Sequence, residues 1–153
     1  MARTTEITIT RTIPAPIGDV WALVCDVGRI PEWVEPTLAI TRSSSDTVAL
    51  GVEITERTRV VGPLVFTTRW KVIAFEPPNR QVSTGEVPLA RDTVLELRLE
   101  HADGVTHNFH TLRYRPALGP LGRWIDAVAR VHISRSLERS VDTLERLLRV
   151  SPM

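Results

Sequence analysis

Residues 92–115 read DTVLELRLEHADGVTHNFHTLRYR, the most informative stretch of the chain. Over 92–101, leucines at every second position alternate with charged side chains, which is typical of a strand with one buried face. Asp103-Gly104 is a turn pair, and alternation resumes over 105–115. The stretch therefore predicts a β-hairpin whose inward side chains include Leu95, Leu97 and Leu99.

Four further β segments precede this hairpin, and short breaks rich in Gly, Pro, Asn or Ser separate them. Such short breaks join neighbouring antiparallel strands, because a parallel connection needs a crossover of about a dozen residues or more. Together with the hairpin, these segments predict a six-stranded antiparallel meander. They lie at 38–43, 48–61, 64–76 and 80–86.

The chain before the meander supplies one more strand and two short helices. Residues 5–13 alternate isoleucine with threonine, which predicts a half-buried strand that ends at Pro14. Apolar residues then recur at helical spacing after Pro16. Gly28 interrupts this pattern, and a second short helix runs to Val34. The predicted order is strand, two short helices, six strands.

A long helix is predicted over residues 121–149, which contain mostly good helix formers, no Pro and a single Gly, Gly122, at the start. Its apolar stripe changes face part-way along, so the two halves are expected to bury different sides. We expect 133–148 to pack on the sheet, while 119–132 either kinks away or covers a cavity mouth or a partner chain. The helix also carries i, i+4 charge pairs, namely Asp126/Arg130, Asp142/Arg146 and Glu145/Arg149.

The composition fits a single globular domain over residues 1–153. The chain is 42% hydrophobic and 24% charged with a formal net charge of +1, a balance that argues against a disordered chain. Its helical arginines alternate with acids, so no nucleic-acid partner is expected. The single cysteine, Cys25, excludes an internal disulfide. With no signal-peptide pattern and no apolar run of about 20 residues, we expect a cytoplasmic protein without a membrane span.

Several short motifs mark the strand ends and helix starts: Ile13-Pro-Ala-Pro-Ile-Gly-Asp-Val-Trp21, Asp26, Pro31-Glu-Trp33, Leu112-Arg-Tyr-Arg-Pro116 and Leu118-Gly-Pro-Leu-Gly122. In these motifs and in its element order, the chain resembles the START-like superfamily, also called SRPBCC, which includes polyketide cyclases, dehydrases and lipid-transfer domains. The resemblance implies an α+β helix-grip fold, in which a curved antiparallel seven-stranded sheet wraps around the long C-terminal helix. It also implies a deep apolar cavity between them, with Trp33 near its mouth.

Strand alternation predicts which side chains face that cavity. Glu56, Asn108 and His110 fall on the inward face, where an unpaired polar group costs on the order of 1–3 kcal/mol unless it is hydrogen-bonded or contacts a ligand. Alternatively, Glu56 or His110 lies near a sheet end in water or bonds to the backbone. The other candidate ligand-binding residues are Trp33, Thr58, Phe66, Thr68, Trp70, Leu97, Leu112 and Tyr114, and strict alternation also turns Ala74 inward.

Two functions are considered for the cavity. The first is binding of a small hydrophobic molecule such as a polyketide, a lipid or an isoprenoid. The second is cofactor-independent catalysis of the cyclase, aromatase or dehydratase type, in which Glu56 or His110 moves a proton. Burial is expected to raise the pKa of Glu56. His132 ranks below these residues, because the direction of its helical face is not determined by the pattern.

No metal or nucleotide cofactor is expected. His107 and His110 are three residues apart on one strand and so point to opposite faces. The sequence also has no nucleophile elbow, Walker loop or dinucleotide-binding glycine motif. A third hypothesis is a partner-binding module or a homodimer, whose contact surface would consist of Leu121, Trp124, Ile125, Val128 and Val131.

Overall fold

The computed structural model describes residues 4–59, 63–88, 90–116 and 122–150, and its elements follow the predicted order. A 3₁₀ turn at Val27–Arg29 joins the two short helices. The helices are α1 (Ile17–Val24), α2 (Ile30–Trp33) and α3 (Gly122–Val150), and the strands are β1 (Thr5–Ile13), β2 (Thr37–Ser43), β3 (Glu53–Thr58), β4 (Phe66–Glu76), β5 (Arg80–Glu86), β6 (Ala90–Ala102) and β7 (Val105–Pro116).

The seven strands form one curved antiparallel sheet in the order β1-β7-β6-β5-β4-β3-β2. Strands β2 to β7 follow one another as the predicted meander, and β1 pairs with β7, with Ile9 opposite His110. Residues that pair on neighbouring strands point their side chains to the same face of the sheet, so one face lies inward in all seven strands. With α3 along this face, the architecture confirms the helix-grip fold.

Strand β3 is shorter than the predicted segment 48–61, because a turn precedes it. Gly51 has a positive φ of 83°, a conformation that glycine adopts without steric cost. Its N–H donates to the carbonyl oxygen of Val72 at 2.9 Å, which ties this turn to β4. Residues 60 and 61 of the predicted segment lie outside the described residues.

Strand β4 keeps its predicted alternation as far as Val72 and then shifts register against β5. Beyond the shift, Phe75 packs against the core, and its ring centroid lies 5.4 Å from that of Trp21. Strict alternation turns Phe75 outward and gives the inward position to Ala74, which is only half-buried. The irregularity in the ladder changes which side chain reaches the core.

The interior divides into two regions, which we name the packed end and the hollow end. At the packed end, α1 and the second half of α3 close over β1, β6 and β7, and the side chains of Ile13, Val20, Leu99 and Leu144 are completely enclosed. At the hollow end, the inward face of β3 to β7 and the first half of α3 surround a cavity. Strands β6 and β7 run through both ends.

Helix α3 is continuous, and the same side of both halves faces the sheet and the cavity, so the prediction that the two halves bury different faces is wrong. At 3.6 residues per turn, Asp126 and Ile133 in the first half lie on one side of the helix with Leu144 in the second. Val141 and Leu144 in the second half are fully buried, whereas Trp124 and Val128 in the first half are 79% and 72% exposed. The first half contributes Asp126 and Ala129 to the cavity wall. The side chain of Ile125 and the whole of Leu121, both placed in the predicted contact surface, lie outside the described part of the structure.

Of the three charge pairs predicted along α3, one is formed as expected. Arg149 bonds to Glu145 with an N–O distance of 2.8 Å. Asp142 instead pairs with Arg11 of β1, which fastens the second half of the helix to the edge of the sheet. Asp126 accepts hydrogen bonds from groups at the cavity, described below.

Candidate functional site: a cavity between the sheet and the last helix

The cavity has a volume of about 430 Å³ and lies between the inward face of the sheet and α3. Apolar and aromatic side chains form most of its wall, with polar groups at separate places. Leu64, which is 58% exposed, lines it at the surface. The predicted ligand-binding residues that line the cavity are Trp33, Glu56, Thr58, Phe66, Thr68, Trp70, Leu97, His110, Leu112 and Tyr114.

Glu56 is a buried carboxyl group on the wall formed by β3. The indole nitrogen of Trp70 donates to its Oε1 at 2.9 Å, and the hydroxyl of Thr37 donates to its Oε2 at 3.1 Å. Burial raises the pKa of Glu56, and the two hydrogen bonds oppose this rise only in part. The predicted direction of the pKa change is therefore confirmed.

The position of Trp70 depends on a glycine in the adjacent strand. Trp70 pairs with Gly85 of β5, and the indole lies across the backbone there. A Cβ atom at Gly85 would lie 2.6 Å from the nearest ring carbon of Trp70, which is closer than carbon atoms approach. The missing side chain thus lets the ring lie flat across β5 while its nitrogen reaches Glu56.

His110 is a buried, neutral imidazole on the wall formed by β7. Burial lowers its pKa to about 4, so the ring carries no charge at neutral pH. The side-chain amide of Asn108 lies within hydrogen-bond distance of the ring, 2.9 Å from its Nδ1. The ring of Trp33 packs edge-on against it, with centroids 5.8 Å apart.

Asn108 shares the inward parity of His110, but the structure does not place it in the cavity wall. It is completely buried at the packed end, opposite Leu99 of β6. Its Oδ1 has no hydrogen-bond partner among the described residues. Asn108 therefore orients His110 from behind, which corrects its predicted position beside the ligand.

A second polar group joins β1, β7 and α3. The Tyr114 hydroxyl donates to Oδ1 of Asp126 at 2.9 Å, and the Thr5 hydroxyl donates to Oδ2 at 3.1 Å. Burial, followed by the bond to Asp126, raises the pKa of Tyr114. Asp126 therefore bonds across the cavity end and does not form the predicted charge pair with Arg130. In the sequence, the only sign that the helical turn around Asp126 could cover the cavity is that the apolar stripe changes face part-way along the helix.

Glu56 and His110 both line the cavity but do not bond to each other. Strands β4, β5 and β6 separate their strands, and the two side chains bond to other residues.

His107 lies on the opposite face from His110, as predicted, and bonds to Thr12. His132 is exposed and does not line the cavity. In the residues that the structure describes, no group of three His, Cys, Asp or Glu could hold a metal ion.

The curved sheet, the long helix and the cavity between them together define a START-like helix-grip protein. A family model described as "Polyketide cyclase / dehydrase and lipid transport" matches residues 4–149, and the chain belongs to this family. No curated protein sequence matches the chain. Within the described ranges, no helix is long and apolar enough to cross a membrane.

Solved structures share the fold at low sequence identity. A protein from Rhizobium leguminosarum is 19% identical, with a TM-score of 0.76 over 99% of this chain and 98% of that one. Norcoclaurine synthase from Thalictrum flavum is 12% identical, with a TM-score of 0.74 over 97% and 96% of the two chains. The di-domain ARO/CYC protein StfQ from the steffimycin biosynthetic pathway is 9% identical, with a TM-score of 0.77 over 95% of this chain and 51% of that one.

Proposed function

We propose that the protein binds a small hydrophobic molecule, of polyketide, lipid or isoprenoid type, in the cavity between the sheet and α3. The observation that carries this proposal is the cavity of about 430 Å³ itself, which lies within the size range of small-molecule sites. Apolar walls would supply most of the binding free energy, and the few polar groups would orient the ligand. Membership of a cyclase and lipid-transport family agrees with this function.

The proposed contacts with the ligand come from opposite walls. Glu56, Trp70 and Phe66 would contact it from β3 and β4, and His110 and Tyr114 from β7. The proposed contact set is completed by Thr58, Thr68, Leu97, Leu112 and Trp33.

A homodimer through the face that contains Trp124 and Val128, and a cytoplasmic location, remain predictions.

The test is to fill the cavity and measure the binding of a neutral hydrophobic probe, N-phenyl-1-naphthylamine, by its fluorescence. Leu95 lines the cavity, so Leu95→Trp is expected to weaken binding by about tenfold or more, because the new ring occupies the ligand volume. The control is Ile73→Trp on β4, where the side chain is exposed on the outer face of the sheet, away from the cavity. Equal affinity in both variants, or no binding to the unmodified protein, would contradict the proposal.

A second function is cofactor-independent cyclase, aromatase or dehydratase chemistry in the same cavity. It is favoured by a buried carboxyl group with a raised pKa, Glu56, on the wall opposite a neutral imidazole, His110. The raised pKa of Glu56 moves that carboxyl group toward neutrality, which suits it to proton transfer, and the neutral ring of His110 can donate or accept a hydrogen bond. Because they lie on separate strands, each would act on a different atom of the substrate.

This second function predicts that binding and turnover separate in Glu56→Gln. The variant should lose at least about tenfold in the rate of cyclisation of a poly-β-ketone thioester, followed by liquid chromatography and mass spectrometry. Its affinity for the neutral naphthylamine probe should stay within about threefold of the unmodified protein. An unchanged cyclisation rate would remove Glu56 from the chemistry.

A further inference from the structure

The cavity wall carries two carboxyl groups at separate places, Glu56 on β3 and Asp126 on α3. Both accept hydrogen bonds from neutral groups only, and neither forms an ion pair with a described residue. Among the described residues that line the cavity, none is an arginine or a lysine. The wall therefore presents negative or neutral groups to whatever enters.

Glu56 is the stronger of the two as a cation acceptor. It is almost fully buried, and each of its oxygens is already fixed by one donor, which leaves further lone pairs for a ligand. Asp126 is only half-buried, so solvent weakens its attraction for a cation more than it does for Glu56. A ligand that brings a positive charge is stabilised most by a buried carboxyl group that has no cationic partner in the protein.

The aromatic side chains of the wall fit the same ligand class. Trp33, Phe66, Trp70 and Tyr114 all line the cavity, and Trp70 touches Glu56 directly. The faces of aromatic rings attract ammonium groups, most strongly where water is excluded. His110 is neutral at physiological pH and adds no positive charge to attract an acid.

We propose that the cavity selects hydrophobic amines over hydrophobic acids, with the ligand's ammonium group on Glu56 and its apolar body against the aromatic wall. This inference rests on the proposed binding function and narrows its ligand class. A carboxylate ligand would enter a largely apolar cavity whose described lining has no arginine or lysine, close to a protein carboxyl group. An uncharged ligand of the same shape should bind with intermediate affinity.

The test uses three ligands that share one apolar body and differ in charge: 2-(1-naphthyl)ethylamine, 2-(1-naphthyl)ethanol and 1-naphthylacetic acid. Isothermal titration calorimetry at pH 7 should give dissociation constants that rise from the amine to the alcohol to the acid, by about tenfold at each step. In Glu56→Gln, the amine should bind within about threefold of the alcohol. The control is Glu53→Gln, an exposed carboxyl group on the opposite face of the same strand, which should keep the full order.

Each outcome separates the inference from the function on which it rests. An acid that binds as tightly as the amine overturns the charge selection while the binding function stands. Loss of the amine preference in Asp126→Asn but not in Glu56→Gln overturns the assignment to Glu56. If none of the three ligands binds, both the inference and the proposed function are wrong. Retained binding of the alcohol in Glu56→Gln shows that this variant is folded.

Discussion

The packed end and the hollow end share two strands, β6 and β7, yet the inward side chains of these strands meet different surroundings at the two ends. Along β6, Leu99 is completely buried in the core, whereas Leu95 lines the cavity. Along β7, Asn108 is buried in the packed end, whereas His110 lines the cavity two residues later. The boundary therefore falls within a strand and not between elements.

We infer that the packed end stabilises the fold and that the hollow end provides space for a ligand. Close packing at one end supplies the stability, because dispersion contacts and apolar burial are complete there. The other end gives up part of that stability to keep space for a ligand. Three predictions test this division, from the largest expected effect to the smallest.

The first prediction compares the same truncation at the two ends of β6. Leu99→Ala should lower the free energy of unfolding by about 3–4 kcal/mol, because it opens a new void in a filled region. Leu95→Ala should cost only about 1–2 kcal/mol, since that side chain already borders empty space. Urea unfolding of both variants measures the difference. Equal losses would mean that the hollow end is packed as tightly as the other.

The second prediction concerns His110, which stands at the boundary. Its pKa is about 4 in the folded state against an ordinary value of 6.5. Below pH 6.5 the unfolded chain binds a proton at this histidine, whereas the folded protein does not bind it until the pH approaches 4. The free energy of unfolding is therefore unaffected by this group above pH 6.5 and falls by about 3 kcal/mol as the pH drops to 4.

The measurement is urea unfolding at several pH values for the unmodified protein and for His110→Gln. The variant lacks the titrating group, so its stability should fall less between pH 6.5 and 4. His107→Gln, on the outer face of the same strand, is the matched control and should behave as the unmodified protein does. An identical pH dependence in His110→Gln would place the ring in water.

The third prediction uses the close approach of Trp70 to Gly85. Gly85→Ala should push the indole into the cavity, because the added Cβ atom would lie 2.6 Å from the ring. The hollow end gives the ring room to move, so the cost in stability should be only about 1–2 kcal/mol. Binding of N-phenyl-1-naphthylamine should nevertheless weaken, since the ring takes ligand space. A fully retained affinity would show that the ring moves elsewhere.

The sequence was sufficient to predict the element order, the meander and most of the inward parity, since alternation and turn residues are local signals. It could not distinguish Asn108 from His110, because parity says which face a side chain takes and not whether a neighbour fills the space beyond it. The register shift after Val72 likewise left no mark in the pattern. Asp126 was missed because a helical charge pair with Arg130 satisfied the same spacing.

The most direct test of the two-ended interior is a crystal structure determined under xenon pressure, because xenon occupies apolar cavities that side chains leave empty. The account predicts xenon between Leu95 of β6 and Ala129 of α3, and none around Leu99 and Leu144 at the packed end. An interior without xenon, with side chains filling the space beside Leu95, would contradict it.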